Sequence, residues 1–150
     1  MDKPIPEFGD AVPDADYLPR PGGYGIIRDD DGLVAVVGTP IGIYLPGGGT
    51  DPGESAEDTV IRETREECGL TVRPLEIVGV ANELVYTVEG IYFRKRCTFF
   101  VCEVTDDAAV PIAEPDHELL WLSPGDALQR LSHGSQRWAV HRVYGGTQEA

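Results

Sequence analysis

The segment Arg62-Glu63-Thr64-Arg65-Glu66-Glu67 crowds three glutamates into a chain that already carries a formal charge of −14. On a helix turning about 100° per residue, Glu63, Glu66 and Glu67 fall within about 100° of arc. Arg62, Arg65 and Asp58 point away from that arc. Like charges at i, i+3 and i+4 each weaken a helix by about 0.2–0.5 kcal/mol. Such a face is either solvated or built to hold something cationic. Hard divalent cations suit it, because Mg²⁺ and Mn²⁺ take oxygen ligands, and Mg²⁺ is usually held by carboxylates together with phosphate oxygens.

The residues just before the segment favour the second reading. Residues 46–53 read PGGGTDPG, a loop whose glycines let backbone approach a ligand closely. It feeds a helix N-terminus, where unpaired N–H groups attract anions. No Gly-Lys-Ser/Thr closes the loop, so it is not a Walker-type phosphate loop. Ser55 is a good N-cap, Asp58 completes a capping box and Gly69 suits the left-handed position past the end. The predicted helix therefore spans 56–68, with Val60, Ile61, Thr64 and Cys68 as its modest apolar face.

Gly48, Glu54, Arg62, Glu63, Glu66, Glu67 and Gly69 stand at the spacing of the Nudix box, which closes here on Leu70. Chance agreement at seven fixed positions is on the order of 10⁻⁸ per window. The chain thus resembles the Nudix hydrolase family. Thr64 occupies a position that is usually aliphatic, which bears on packing and leaves the carboxylates untouched. The resemblance implies a Nudix-type α/β/α sandwich with a mixed sheet. It also implies hydrolysis, with Mg²⁺ or Mn²⁺, of a pyrophosphate bond in a nucleoside diphosphate linked to another moiety. Nucleoside triphosphates, oxidised nucleotides, dinucleoside polyphosphates, ADP-ribose and nucleotide sugars are all open.

Carried over position by position, the resemblance makes Glu63, Glu66 and Glu67 metal ligands, one of them a general base through water. The Gly47 carbonyl would be a further ligand. Glu54 and Arg62 would complete the catalytic set as a charge-assisted pair bracing loop against helix. Gly48 and Gly49 would lie against the substrate. Glu118 is the candidate for an extra acid outside the box, with Asp116 as second choice, each weighed against a plain solvated strand end. The competing reading is a binding or regulatory module that keeps the fold without turnover, and the full set of box glutamates argues against it. A calcium module is excluded by the lack of a D-x-[DN]-x-[DN]-G loop.

Other residues are weaker candidates. Arg94-Lys95-Arg96 could touch phosphates, although a solvated strand is the commoner origin of such a run. Tyr44, Tyr86, Tyr92, Phe93, Trp121 and Trp138 could stack on a base but more often fill core or interface. His133 could contact substrate, although a helix-start histidine is usually structural.

These side chains need a scaffold. Residues 1–22 are polar and proline-rich and read as an arm over the domain, without a regular element of its own. The domain proper is read as 23–150. Residues 24–29 and 33–38 read as a β-hairpin around Asp31-Gly32, followed by strands at 41–46, 71–87, 92–105 and 117–122. Ser123-Pro124 opens a helix, and a second follows from about 135. Strands mixed with a few helices make a single mixed α/β domain.

The bulk composition is that of an ordinary domain of 150 residues, large enough for a hydrophobic core. No apolar run reaches the roughly 18–20 residues of a membrane span, and the N-terminus lacks a signal-peptide pattern, so a cytoplasmic protein is expected. Cys68, Cys97 and Cys102 are an odd set without ligand spacing and read as free thiols. The acidic field disfavours duplex nucleic acid and anionic membranes as partners. A nucleotide-like small molecule is the expected partner, with a homodimer left open.

Overall fold

Ile26 and Ile27 are neighbours in sequence and both fully buried, yet they belong to two different cores. Successive strand residues point to opposite faces, so a strand with two apolar faces must lie between two layers. The computed structural model describes residues 4–105 and 111–145. The first three residues of the predicted arm and the last five of the predicted domain lie outside them.

The order is β1 (Glu7–Phe8), β2 (Leu18–Ile27), β3 (Val34–Thr39), β4 (Gly42–Tyr44), β5 (Gly47–Gly49), α1 (Ala56–Cys68), β6 (Val72–Tyr86), β7 (Tyr92–Val104), β8 (Glu118–Leu122), α2 (Pro124–Arg130) and α3 (Gly134–Tyr144). One sheet runs β1-β6-β7-β2-β5 and the other β4-β3-β8. The larger sheet is mixed: β2 runs parallel to β7, while β6 and β7 form a long antiparallel hairpin. On one side α1 buries Val60 with Ile27, Ala35, Phe100 and Cys102. On the other, α2 and α3 bury Ala127, Leu131, Ala139 and Val140 with Ile26, Val34, Val36 and Phe99. Helix, sheet and helix layers result, the architecture that the Nudix resemblance implies.

Two local expectations fail. The arm is not free of regular structure: β1 pairs in parallel with β6, Glu7 opposite Asn82, and β2 begins at Leu18. Proline at 19 and 21 did not prevent this, because the strand finds a partner in β7 from Leu18 opposite Phe93 onward. Residue 22 therefore falls inside a strand.

The 24–38 hairpin is also not a hairpin of one sheet. Its turn is present, with Asp29 Oδ1 accepting from the backbone N–H of Asp31 and of Leu33, and with Gly32 at φ 81°. Beyond the single bridge of Arg28 to Val34 the strands part. β2 follows β7, and β3 joins β4 and β8 in the other sheet.

Candidate functional site

Helix α1 is fixed at both ends by its own sequence. The Asp58 N–H donates to Ser55 Oγ at 3.0 Å, and the Ser55 N–H donates to Asp58 Oδ2 at 3.2 Å. Gly69 takes φ 69° and donates its N–H to the Arg65 carbonyl. With the helix pinned to 56–68, the glutamate spacing becomes a fixed geometry.

The first half of that geometry is a closed knot. The Arg62 guanidinium donates from Nε to Glu54 Oε2 at 2.7 Å and from Nη2 to Glu54 Oε1 at 3.0 Å, a forked pair. It also reaches the Gly49 carbonyl at 3.1 Å, Glu63 Oε1 at 2.6 Å and Glu66 Oε2 at 3.4 Å. Glu54 in turn accepts from the Asp51 N–H and from Thr59 Oγ1. The Arg62 hydrogen bonds, followed by the one from Asp51, hold the Glu54 carboxyl down at about 2.

Arg62 was expected to point away from the three-glutamate arc. Its Cα does, but the long side chain folds back and partly neutralises Glu63 and Glu66. Mutual repulsion among the three is accordingly smaller than their spacing alone suggests.

Glu67 is in a different position. Its Oε1 accepts the Gly47 N–H at 2.9 Å, and Oε2 lies 3.7 Å from His117 Nδ1. Burial pushes its carboxyl up to about 8; the Gly47 hydrogen bond opposes this, and the charges of Glu63, Glu114 and Glu66 add to it. Burial also raises Glu63, against the pull of Arg62. Gly48 lets the loop close on the helix: a Cβ there would stand 2.9 Å from Glu63 Cδ. A larger residue at this position would push the Glu63 carboxylate aside.

Glu67, Gly47 and Gly48 line a cleft of about 690 Å³. Tyr24 and Leu45 form part of its floor, the Tyr44 and His133 rings meet edge to face at 5.0 Å, and Tyr86 stands at the rim. Asp116 and His117 also line it. Glu118 does not: it is exposed at the start of β8, opposite Gly38. Gly49 lies outside the lining and spends its carbonyl on Arg62. Of the remaining aromatics, Trp138 packs between Phe8 and Phe99, Trp121 packs on the α1-side core, and Tyr92 meets Tyr17 and Tyr86.

As the chain stands, no group of three acid, histidine or cysteine side chains converges on a metal position among the described residues. Arg62 holds Glu63 Oε1 at 2.6 Å and Glu66 Oε2 at 3.4 Å. The donor set nevertheless fits a hard divalent cation: it is all oxygen, clustered, and includes a carboxyl whose proton affinity is raised by burial and like charge. A cation there would offset the like charge and favour the ionised carboxylate.

Two cleft residues were missed or discounted in the sequence. His117 follows Asp116 without any motif of its own. Lys95 was read as part of a solvated run, yet it too lines the cleft. Its signal was available in strand parity, since Lys95 shares a face with the apolar Cys97 and Phe99.

The NUDIX domain family model matches residues 19–142. The chain is 33% identical over 86 residues to the bis(5'-nucleosyl)-tetraphosphatase [asymmetrical] of Mus musculus, covering 56% of this chain and 57% of that one. It is 32% identical over 84 residues to the isopentenyl-diphosphate Delta-isomerase of Corynebacterium diphtheriae, covering 53% of this chain and 46% of that one. The chain spans about half the length of these curated relatives. A solved NUDIX hydrolase from Nitrosomonas europaea superposes with a TM-score of 0.69 at 19% identity, covering 86% of this chain and 90% of that one. At that identity the likeness speaks for the fold alone.

Proposed function

The chain belongs to the Nudix family, and on that premise we propose that it is a metal-dependent hydrolase of a pyrophosphate bond in a nucleoside diphosphate linked to another moiety. The observation that carries this reading is Glu67, a half-buried carboxyl of raised proton affinity facing a nucleotide-sized cleft beside a glycine loop. The Gly47 N–H engages only one of its two oxygens.

Glu63, Glu66 and Glu67 are the residues that would hold Mg²⁺ or Mn²⁺, with the Gly47 carbonyl as a further ligand. The cation would neutralise the pyrophosphate and acidify the attacking water. The chain's own contribution is positioning and proton handling. The Arg62–Glu54 fork ties the loop to the helix, so that Gly47 and Glu67 keep their register. Water adds to phosphorus, the P–O anhydride bond breaks, and the departing phosphate takes the bonding electron pair. Glu67, through the oxygen not engaged by Gly47, would hold the proton released by water.

The substrate is proposed only as a class. Tyr44, His133 and Tyr86 offer flat surface for a base or a similarly uncharged moiety. A cytoplasmic setting is part of this reading and is supported by three buried, unpaired thiols. No helix among the described residues is long and apolar enough to cross a membrane.

The test is a panel of nucleoside triphosphates, oxidised nucleotides, dinucleoside polyphosphates, ADP-ribose and nucleotide sugars, assayed with Mg²⁺, with Mn²⁺ and with excess EDTA. Cation-dependent release of phosphorylated products is expected on at least one class. Turnover that survives EDTA, or product isomeric with substrate, overturns the reading.

A further inference from the structure

The cleft contains a lysine that the box motif does not account for. Lys95 sits on β7 opposite Arg20 of β2 and Glu83 of β6. Its neighbours Arg94 and Arg96 are exposed, and Arg94 pairs with Glu7 at 2.7 Å. Lys95 alternates with them and turns inward, on the face that carries buried Cys97 and Phe99. It lines the same cavity as Glu67, Gly47 and Gly48.

A half-buried ammonium is expected to have a partner. Lys95 has none: among the described residues no carboxylate lies within 4.0 Å of it. The obvious candidate is engaged elsewhere. Glu83 is 4% exposed, and its Oε1 accepts the Ser135 N–H at 2.9 Å. It thereby satisfies the start of α3, whose own N-cap residue His133 offers no side-chain bond. Burial lowers the proton affinity of Lys95; the Arg20 cation lowers it further, while Cys97, Glu83 and Glu67 oppose this. Lys95 thus stands in the cleft without a structural counter-ion.

We propose that Lys95 donates directly to a phosphate oxygen of the substrate. The cleft is then a two-sided clamp, with the carboxylates of α1 reaching the pyrophosphate through divalent cation and β7 reaching it without one. Phosphate is the ligand chemistry that fits. Lysine is a compact point charge suited to a phosphate oxygen, and the neighbouring Glu67, Asp116 and Glu89 repel an anion that no cation meets. The aromatic rim leaves the uncharged part of the substrate on the solvent side. This inference rests on reading the cleft as a pyrophosphate site, and its test measures binding separately from turnover.

The full chain and its Lys95→Met and Lys95→Arg variants are titrated calorimetrically with imidodiphosphate, a non-hydrolysable pyrophosphate analogue, at fixed millimolar Mg²⁺. Lys95→Met is expected to weaken binding by about tenfold or more, and Lys95→Arg by much less. Thermal melts without ligand supply the second readout. Because Lys95→Met removes an unpartnered buried charge, the variant is expected to melt at or above the temperature of the unaltered chain. Equal binding by Lys95→Met, no binding by the unaltered chain, or a lower ligand-free melt overturns the proposal; the last would make Lys95 a structural partner of Glu83. If imidodiphosphate binds in a Lys95-dependent way while no panel substrate turns over, the proposed reaction falls and the phosphate contact stands. If substrates turn over while Lys95→Met binds normally, the reverse holds.

Discussion

The middle and the C-terminal turn of α1 (Ala56–Cys68) treat charge in opposite ways. At Arg62 one guanidinium serves Glu54, Glu63, Glu66 and the Gly49 carbonyl, and every charged group has a partner. One turn later Glu67 faces the cleft with a backbone N–H and a histidine 3.7 Å away, and Lys95 on the facing strand is unpaired. Folding alone favours the first arrangement, since desolvated charge is costly unless matched. The second makes sense where a ligand completes it. The contrast separates what α1 needs to hold its shape from what it holds ready.

The largest test of that contrast is Glu67→Gln. Turnover in Mg²⁺ is expected to fall roughly 10²-fold or more, because in the proposed reaction charge stabilisation and proton handling both pass through this residue. Melts in EDTA are expected to show the variant at least as stable as the unaltered chain. Near-normal kcat, or a clear loss of stability, would place Glu67 on the structural side of the comparison.

pH provides the next test. In the unfolded chain Glu67 titrates near 4.5, and in the fold near 8. Below pH 4.5 both states hold the proton, and the fold keeps its full stability. Between 4.5 and 8 the unfolded chain releases a proton that the fold retains, so stability declines, by at most about 1.4 kcal/mol per pH unit. Above 8 the loss is complete. Glu54, held at about 2, acts outside this window; its contribution is present above 4.5 and is lost as pH falls from there through about 2. Urea melts in EDTA at several pH values, with Glu67→Gln as reference, isolate the effect. A difference between the two proteins that does not change from pH 5 to 8 counts against a raised Glu67.

Arg62→Ala attacks the saturated middle of the helix. It leaves the side chains of Glu54 and Glu63, 15% and 19% exposed, without their cation. A loss of about 2 kcal/mol is expected in chemical denaturation. Arg62→Lys should recover little of it, because lysine cannot form the fork. If Arg62→Ala unfolds at the same denaturant concentration as the parent, the knot is not what pins the loop to the helix.

The sequence made one end of this comparison far more legible than the other. Helix α1 could be read to the residue because Ser55, Asp58 and Gly69 act within a few positions of one another, and helix ends are set locally. The box residues were likewise visible as spacing. What strands do depends on partners far away in sequence. The Asp31-Gly32 turn was correct, yet nothing in it says that β2 and β3 enter different sheets. Pro19 and Pro21 suggested an irregular arm because the pairing with β7 is more than seventy residues distant. The place of Glu118 follows likewise from the distant pairing of β8 with β3, whereas the inward turn of Lys95 was legible in strand parity. The reach of Arg62 was missed for a different reason, since a helical wheel places Cα atoms and not the ends of long side chains.

The smallest effect comes from a group that is unmatched without serving the cleft. Thr64 is fully buried on α1, and its Oγ1 has no hydrogen-bond partner. It stands at the box position that is usually aliphatic. A hydroxyl buried without a partner costs about 1–3 kcal/mol relative to a bonded one, and no ligand can reach it here. Valine has nearly the same shape, so Thr64→Val should remove the cost without opening a cavity. The expected gain is about 1 kcal/mol, a rise of roughly 2–4 °C in melting temperature for a chain of this size, with kcat and KM unchanged. This outcome sharpens the comparison: an unmatched polar group outside the cleft yields stability when removed and takes no activity with it, whereas removing Glu67 takes activity. Should Thr64→Val melt lower than the parent, the hydroxyl has a partner and α1 carries no idle polar group on its buried face.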